Sequence, residues 1–149
     1  MSAKALVLDA NILIRAVLGK RVRELILAHA QTTQFFAPDV AYADARKYLP
    51  ELLRKRGLET DAAMDFLGQL EAVVFPLDSE LYGRVKADAL SRIEARDADD
   101  WPVLACALVL GCPVWTEDAD FFGTGVATWT SDRVSLYLES GGAVRLLPN

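Results

Sequence analysis

The apolar positions fall into short blocks whose period changes repeatedly along the chain. Ala5 to Leu8 are continuously apolar and stop at Asp9, the pattern of a strand buried on both faces of a parallel sheet. Asn11 to Leu18, and then Arg21 to Ala30, carry helical spacing, and Gln34 to Ala37 predicts a second short strand. Asp39 to Arg56 predicts a long helix, with Gly57 as its stop and Pro50 as an expected kink. Thr60 is placed to cap a helix reaching Glu71, Val73 to Phe75 predicts a third strand, and Asp78 is placed to cap a helix through Glu94. Arg96 to Asp100 is a polar turn before an apolar helix, Trp101 to Leu110, that Gly111 terminates. Pro113 to Thr116 predicts another buried strand, followed by a turn with Phe121 and Phe122, a last strand at Thr128 to Thr130 and a last helix at Ser131 to Leu138. The Gly141–Gly142 pair reads as a turn.

Strands that alternate with helices predict an α/β fold, a mostly parallel central sheet covered by helices on both faces. In such sheets ligand sites lie at the carboxyl ends of the strands. Asp9 directly follows the first strand, and Asp118 comes just after the strand that ends at Thr116. The chain has no internal repeat or low-complexity linker, and its 149 residues are expected to form one domain spanning 1–149.

Several acids break the apolar pattern, and a buried, unpaired carboxylate is costly. Asp44 lies four residues after Val40 and four before Tyr48, on a predicted stripe continued by Leu49, Leu52 and Leu53. The alternative is a helix edge at which Asp44 reaches water. Asp100 extends backwards the stripe of Val103, Leu104, Ala107 and Leu108, in a first turn where the helix dipole favours an ionised carboxylate. Either Asp99 or Asp100 is able to cap that helix; with two acids available, Asp99 caps while Asp100 faces the site. Asp9 interrupts VLDANILI, and Asp118 and Asp120 sit in WTEDADFF between a strand and two aromatics. For Asp9 a turn role is the alternative, for Asp118 a cap, and for Asp120 a surface position. Asn11 and Thr116, short polar groups beside these acids, are expected to orient carboxylates rather than ligate. Asp97 and Asp120 are further supporting acids.

Four acids from separate segments, Asp9, Asp44, Asp100 and Asp118, are hard to place unless they meet. If they meet, they repel, and a cation must offset them. An all-oxygen ligand set selects a hard cation, Mg²⁺ or Mn²⁺. Such a cation lowers the pKa of water enough to supply a nucleophile for phosphodiester hydrolysis.

Composition narrows this reading. A net charge of −5 argues against a simple electrostatic nucleic-acid-binding module, which is basic. It leaves room for a nuclease whose acids reach phosphate through a divalent ion. The single histidine, His29, gives a His-based zinc site or a Ser-His-Asp triad nothing to work with. Cys106 and Cys112 read as small buried hydrophobes rather than a disulfide framework. No apolar run approaches the roughly 18–20 residues of a membrane span, and MSAKALVLDA lacks the features of a secretory signal. The expectation is a cytoplasmic protein without membrane association. Basic residues placed to touch phosphate include Arg15, Lys20, Arg21, Arg23, Arg46, Lys47, Arg54, Lys55 and Arg56, each with a solvated helix face as its alternative.

These segments, in this order, resemble the PIN-domain family and within it the VapC-like toxin ribonucleases. VLDANILI is similar to the family's first motif, and APDVAYADARKYLPELL to its second, with Asp44 where the family usually has Glu. RDADDWPVLACAL resembles the third motif through Asp100. VWTEDADFF resembles the last through Thr116, Asp118 and Asp120. The resemblance implies a PIN-like three-layer α/β/α fold, metal-dependent cleavage of RNA, often a homodimer, and a cognate antitoxin in a type II toxin–antitoxin pair. For the homodimer, the apolar Leu13, Val17, Val22, Leu25 and Ile26 are the candidate interface, the alternative being that they fill the monomer's own core. Among competing readings, a haloacid-dehalogenase-type phosphatase wants a second Asp two residues after the first, where this chain has Asn11. A response-regulator receiver domain wants paired acids after its first strand and a Lys after a late one, where this chain has Thr116–Glu117–Asp118. A PIN-like domain that binds or scaffolds without catalysis is the third alternative.

Overall fold

A computed structural model describes residues 4–145. Five strands, β1 (Lys4–Leu8), β2 (Thr33–Pro38), β3 (Val74–Leu77), β4 (Val114–Trp115) and β5 (Thr128–Trp129), form one sheet. Its order is β3-β2-β1-β4-β5, and every pairing is parallel. The central strand shows why the apolar run at its start is continuous. Leu6 and Leu8 are buried on one face and Val7 on the other, as a strand covered on both sides requires.

On the Leu6 and Leu8 side lie α1 (Ala10–Leu18), α2 (Arg21–Ala28), α3 (Asp39–Lys55), α4 (Thr60–Leu70) and α8 (Val134–Arg145), which supplies Val134 and Leu138. On the Val7 side lie α5 (Ser79–Tyr82), α6 (Lys86–Asp97) and α7 (Trp101–Leu110). This is the three-layer α/β/α arrangement expected. No helix among the described residues is long and apolar enough to cross a membrane.

The local differences from expectation have local causes. The third strand begins at Val74 and runs on through Pro76 to Leu77. A proline is tolerated there because β3 is an edge strand, with an N–H side that needs no partner. Thr60 is the first residue of α4 rather than its cap; the Glu59 carboxylate caps it through the Asp61 N–H. Asp78 caps as expected, accepting from the Glu80 N–H at 2.8 Å. The helix it starts is interrupted by a 3₁₀ turn at Gly83–Val85 before α6 resumes. Gly141 and Gly142 form no turn but lie within α8; a cost of about 1 kcal/mol per glycine is not enough to stop an established helix. Cys106 is buried as expected, whereas Cys112 is only partly so, and both thiols are free.

The candidate dimer residues are consumed internally. Leu13, Val17, Val22 and Ile26 belong to the core cluster on the α1–α4 face, and Leu25 packs against it. Of the five, Leu25 alone keeps partial exposure, so an interface between copies would draw mainly on other surface. Leu13→Ala is therefore expected to cost roughly 2–5 kcal/mol, the range for an aliphatic core truncation. Chemical denaturation over a hundredfold range of protein concentration checks this. A loss that varies with concentration would place Leu13 at an interface instead.

Candidate metal centre

The chain runs outward from β1 to β2 and β3, then returns to place β4 on the other side of β1. The carboxyl ends of β1 and β4 thus flank the point where the strand order reverses, where open α/β sheets leave a crevice. Asp9 and Thr116 are the first residues past those two ends. The Asp9 N–H is still tied to the Trp115 carbonyl at 3.1 Å.

Asp9 is held from three directions. Its Oδ1 accepts from the Ala10 N–H at 2.7 Å, capping α1. Its Oδ2 accepts from the Thr116 hydroxyl at 2.7 Å and the Asn11 amide at 3.2 Å. The Thr116 hydroxyl has one proton and two lone pairs to spend. The proton goes to Asp9; the oxygen accepts from the Asp118 N–H at 3.0 Å and the Asn11 amide at 3.3 Å. The Asn11 carbonyl oxygen in turn accepts from the Glu117 N–H at 3.3 Å. Asn11 and Thr116 thus join the β1 and β4 loops through their side chains.

Asp118 plays the same double part as Asp9. Its Oδ1 accepts from the Asp120 N–H at 2.9 Å, capping the 3₁₀ turn Ala119–Phe121. Asp100 arrives from the other side, at the end of the 3₁₀ turn Ala98–Asp100 and at the N-cap position of α7, without capping it. Carboxylate oxygens of Asp9, Asp100 and Asp118 lie within 4.8 Å of one another. A second group within the same limit joins Asp97, Asp100 and Asp120.

Three expectations about these acids need correction. No side chain caps α7; Asp97 caps the 3₁₀ turn before it, accepting from the Asp99 N–H at 3.0 Å, while Asp99 itself is exposed. The helix dipole does not keep Asp100 ionised: its pKa is pushed up to about 8 by burial, then by the charges of Asp9, Asp118 and Asp97. The apolar stripe of α3 is Ala41, Tyr42, Ala45, Leu49 and Leu53, one row away from the expected one. Val40 and Tyr48 are exposed, and Asp44 between them is exposed too. Asp44 is not in either close group of acids. It does line, with Asp9, Asp99 and Asp100, a cavity of about 30 Å³, room for one water-sized occupant, and its charge helps raise the Asp9 pKa.

Desolvation is the largest cause of the raised Asp9 pKa, opposed by the bonds from Thr116 and Ala10. Asp100 Oδ2 is buried without any hydrogen-bond partner. The contact of Asp100 with Asp118 becomes a hydrogen bond only when one of the two is protonated, and this too raises the Asp100 pKa. Hard oxygen donors, mutual repulsion and an unpartnered buried oxygen together fit a divalent cation. The donor set contains no sulfur or imidazole.

Three residues at the site escaped the sequence reading. Glu117 joins neither close group of acids; its Oε2 accepts from the Ser131 N–H at 2.8 Å. Arg92 and Arg96 of α6 bind the carbonyls of the loop beyond Asp118. Nothing in the local pattern marked these contacts.

The raised Asp100 pKa gives a signed pH dependence. Its folded value, about 8, lies above the ordinary 3.8, so the metal-free fold holds a proton that the unfolded chain releases. That contribution is complete below the ordinary value and is lost as the pH rises toward 8. A cation must displace the same proton. The rise in melting temperature on adding Mn²⁺ should therefore be larger at pH 8 than at pH 6, by differential scanning fluorimetry. Asp100→Asn should raise the metal-free melting temperature at pH 8 and shrink the Mn²⁺ response. An Mn²⁺ response equal at both pH values would exclude Asp100 from the binding site.

The comparisons with known proteins agree with this arrangement. No curated protein matches the sequence. Among solved structures, a chain of the "Structure of FitAB bound to IR36 DNA fragment" is similar in fold, with a TM-score of 0.56 and 19% sequence identity. The match covers 85% of this chain and 94% of that one. The family model of the PIN domain matches residues 7–139, from within β1 to within α8 and so across every acid described above: the chain belongs to the PIN-domain family.

Proposed function

We propose that the protein is a Mg²⁺- or Mn²⁺-dependent endoribonuclease that hydrolyses RNA phosphodiester bonds, and that it serves as the toxin of a VapC-like toxin–antitoxin pair in the cytoplasm. The observation that carries the reading is the convergence of Asp9, Asp100 and Asp118 within 4.8 Å at the carboxyl ends of β1 and β4, with one buried oxygen of Asp100 unpartnered. PIN-domain membership supports nuclease chemistry at that place. The solved neighbour is FitAB on a DNA fragment; by analogy, the antitoxin partner of this chain would be a DNA-binding protein.

In this reading Asp9, Asp100 and Asp118 hold the cation, Asp44 borders the cavity, and Asp97 and Asp120 extend the acidic surface. Bound there, a divalent ion supplies charge neutralisation for the phosphate and a nucleophile at neutral pH. The chain's own contribution is placement. Thr116 and Asn11 fix the rotation of Asp9, so its donor oxygen is set before any ligand arrives. The Asp118 backbone is pinned to the same hydroxyl, so the two carboxylates move together.

RNA as the polyanion is supported by the surface beside the acids. Asn11, one side of the Asp9 network, also lines a groove of about 550 Å³ between α1, α2 and α3. Arg15, Lys20, Arg21 and Arg56 line it, and no carboxylate does. Arg21 is engaged with the Ser131 carbonyl at 3.2 Å. Arg15, Lys20 and Arg56 make no ion pair among the described residues. A groove of this kind, beginning at the proposed cleavage site, suits the phosphates of a single strand.

Purified protein incubated with a mixed RNA pool is expected to cleave it with Mg²⁺ or Mn²⁺ and to stop in EDTA. Asp9→Asn should abolish cleavage, and Asn11→Ala should reduce it less. Cleavage that persists in EDTA, or that equals wild type in Asp9→Asn, would overturn the mechanism.

Binding tests the groove separately. Using Asp9→Asn protein and a labelled RNA strand, log K against log salt should slope by about −3, from four cations at roughly 0.7 each. Replacing Arg15, Lys20 and Arg56 together by Ala should flatten the slope by about two. An unchanged slope would mean that RNA runs elsewhere.

A further inference from the structure

The acids of the second group do not hold themselves together. Asp97 ends α6, whereas Asp120 lies in the 3₁₀ turn after β4, and like charges push the two segments apart. Arg96, the neighbour of Asp97 in sequence, reaches across the gap. Its Nη1 donates to the Asp120 carbonyl at 3.0 Å and to the Phe122 carbonyl. One helical turn earlier, Arg92 donates from Nη1 to the Thr124 carbonyl at 2.8 Å, and from Nε to Asp88 at 2.9 Å. Three alternate carbonyls of one loop, at 120, 122 and 124, thus accept from two guanidiniums on one face of α6.

The intervening residues are shaped to that approach. Gly123 and Gly125 have φ of +84° and +89°. A β-carbon at 123 would lie 3.0 Å from Arg96 Nη2, and one at 125 would lie 2.6 Å from Arg92 Nη1. The positive φ at both positions favours glycine, and a β-carbon at either would have to displace a guanidinium. The loop is further closed by Thr124, whose hydroxyl donates to the Phe121 carbonyl at 2.7 Å, and by Phe121, which is fully buried. Both arginines are spent on carbonyls and on Asp88, not on the acids of the site. The clamp therefore positions those acids without pairing off their charge.

We infer that Arg96, backed by Arg92, is a positioning residue for the acidic centre: it ties the Asp118–Asp120 segment to the Asp97–Asp100 segment and so sets the spacing of the carboxylates that hold the cation. The inference rests on the metal-site reading above. A merely structural role for Arg96, such as favourable charge at the C-terminal end of α6, would lower stability but leave metal affinity alone.

The test is isothermal titration of Mn²⁺ into wild type, Arg96→Ala, Arg96→Lys and Gly123→Ala, with Arg84→Ala as an exposed control on the preceding 3₁₀ turn. Arg96→Ala and Gly123→Ala should weaken Mn²⁺ binding about tenfold. Arg96→Lys should fall between them and wild type, because an ammonium can still donate to carbonyls but sits on a flexible stem without the pre-organised planar guanidinium, and Arg84→Ala should match wild type. With RNA as substrate, kcat should fall in Arg96→Ala while KM holds. Should Arg96→Ala fail to fold, Arg96→Lys decides. Wild-type affinity in the Arg96 variants overturns the clamp and leaves the metal site standing. A wild-type protein that binds no Mn²⁺ overturns the metal site, and the clamp with it.

Discussion

Two unit charges 4 Å apart repel by about 4 kcal/mol at the effective dielectric of a protein surface. Asp9, Asp100 and Asp118 bring carboxylate oxygens within 4.8 Å of one another. A chain pays that cost only where the backbone leaves its acids no way to separate. Here each of the three is fixed by its element. Asp9 is bonded into the start of α1 and to β4, Asp118 starts a 3₁₀ turn, and Asp100 is wedged at the head of a helix with six consecutive buried residues, Pro102 to Ala107. The raised pKa of Asp100, from burial and then from the charges of Asp9, Asp118 and Asp97, is the mark this repulsion leaves on the metal-free fold.

The same arrangement shows that a turn role for Asp9 and a cap for Asp118 leave room for ligation. A carboxylate has two oxygens and several lone pairs. Asp9 spends Oδ1 on the Ala10 N–H and receives Thr116 and Asn11 at Oδ2. Asp118 spends Oδ1 on the Asp120 N–H. A cap fixes the rotamer, and a fixed rotamer is what a preformed ligand set needs. Asp100, which caps nothing, carries the unpartnered oxygen instead.

Much of this was legible in the sequence because it follows from period. Continuous apolar runs marked β1 and β4, their abrupt ends marked Asp9 and Asp118, and alternation of strand and helix marked the layered sheet. Reading failed where a neighbour in space decides. On α3, rows a single residue apart are both partly apolar, and only packing against α1 and the sheet reveals that Ala41 and Ala45 face inward while Val40, Asp44 and Tyr48 face out. Small residues carry little weight in a hydrophobicity pattern, yet they are what close packing admits. Caps failed for a similar reason: Glu59 and Asp97 displaced Thr60 and Asp99 by a choice among adjacent polar groups that turn geometry alone makes. The loop contacts of Arg92 and Arg96 were invisible because they are made to backbone carbonyls 24 to 32 residues away, which no side-chain pattern records.

The net charge of −5 misleads in the same way if read as a property of the whole surface. Charge is sorted here by place. Acids gather where β1 and β4 end, and the four cations that line the α1–α2–α3 groove have no carboxylate among their fellow lining residues. Asn11 belongs to both regions, since it is bonded to Asp9 and Thr116 and also lines the groove. A neutral amide is the residue type that suits such a border. A lysine there would pair with Asp9 and occupy the centre with its own charge, and a second aspartate would add to a repulsion that already raises the pKa of Asp9 and Asp100.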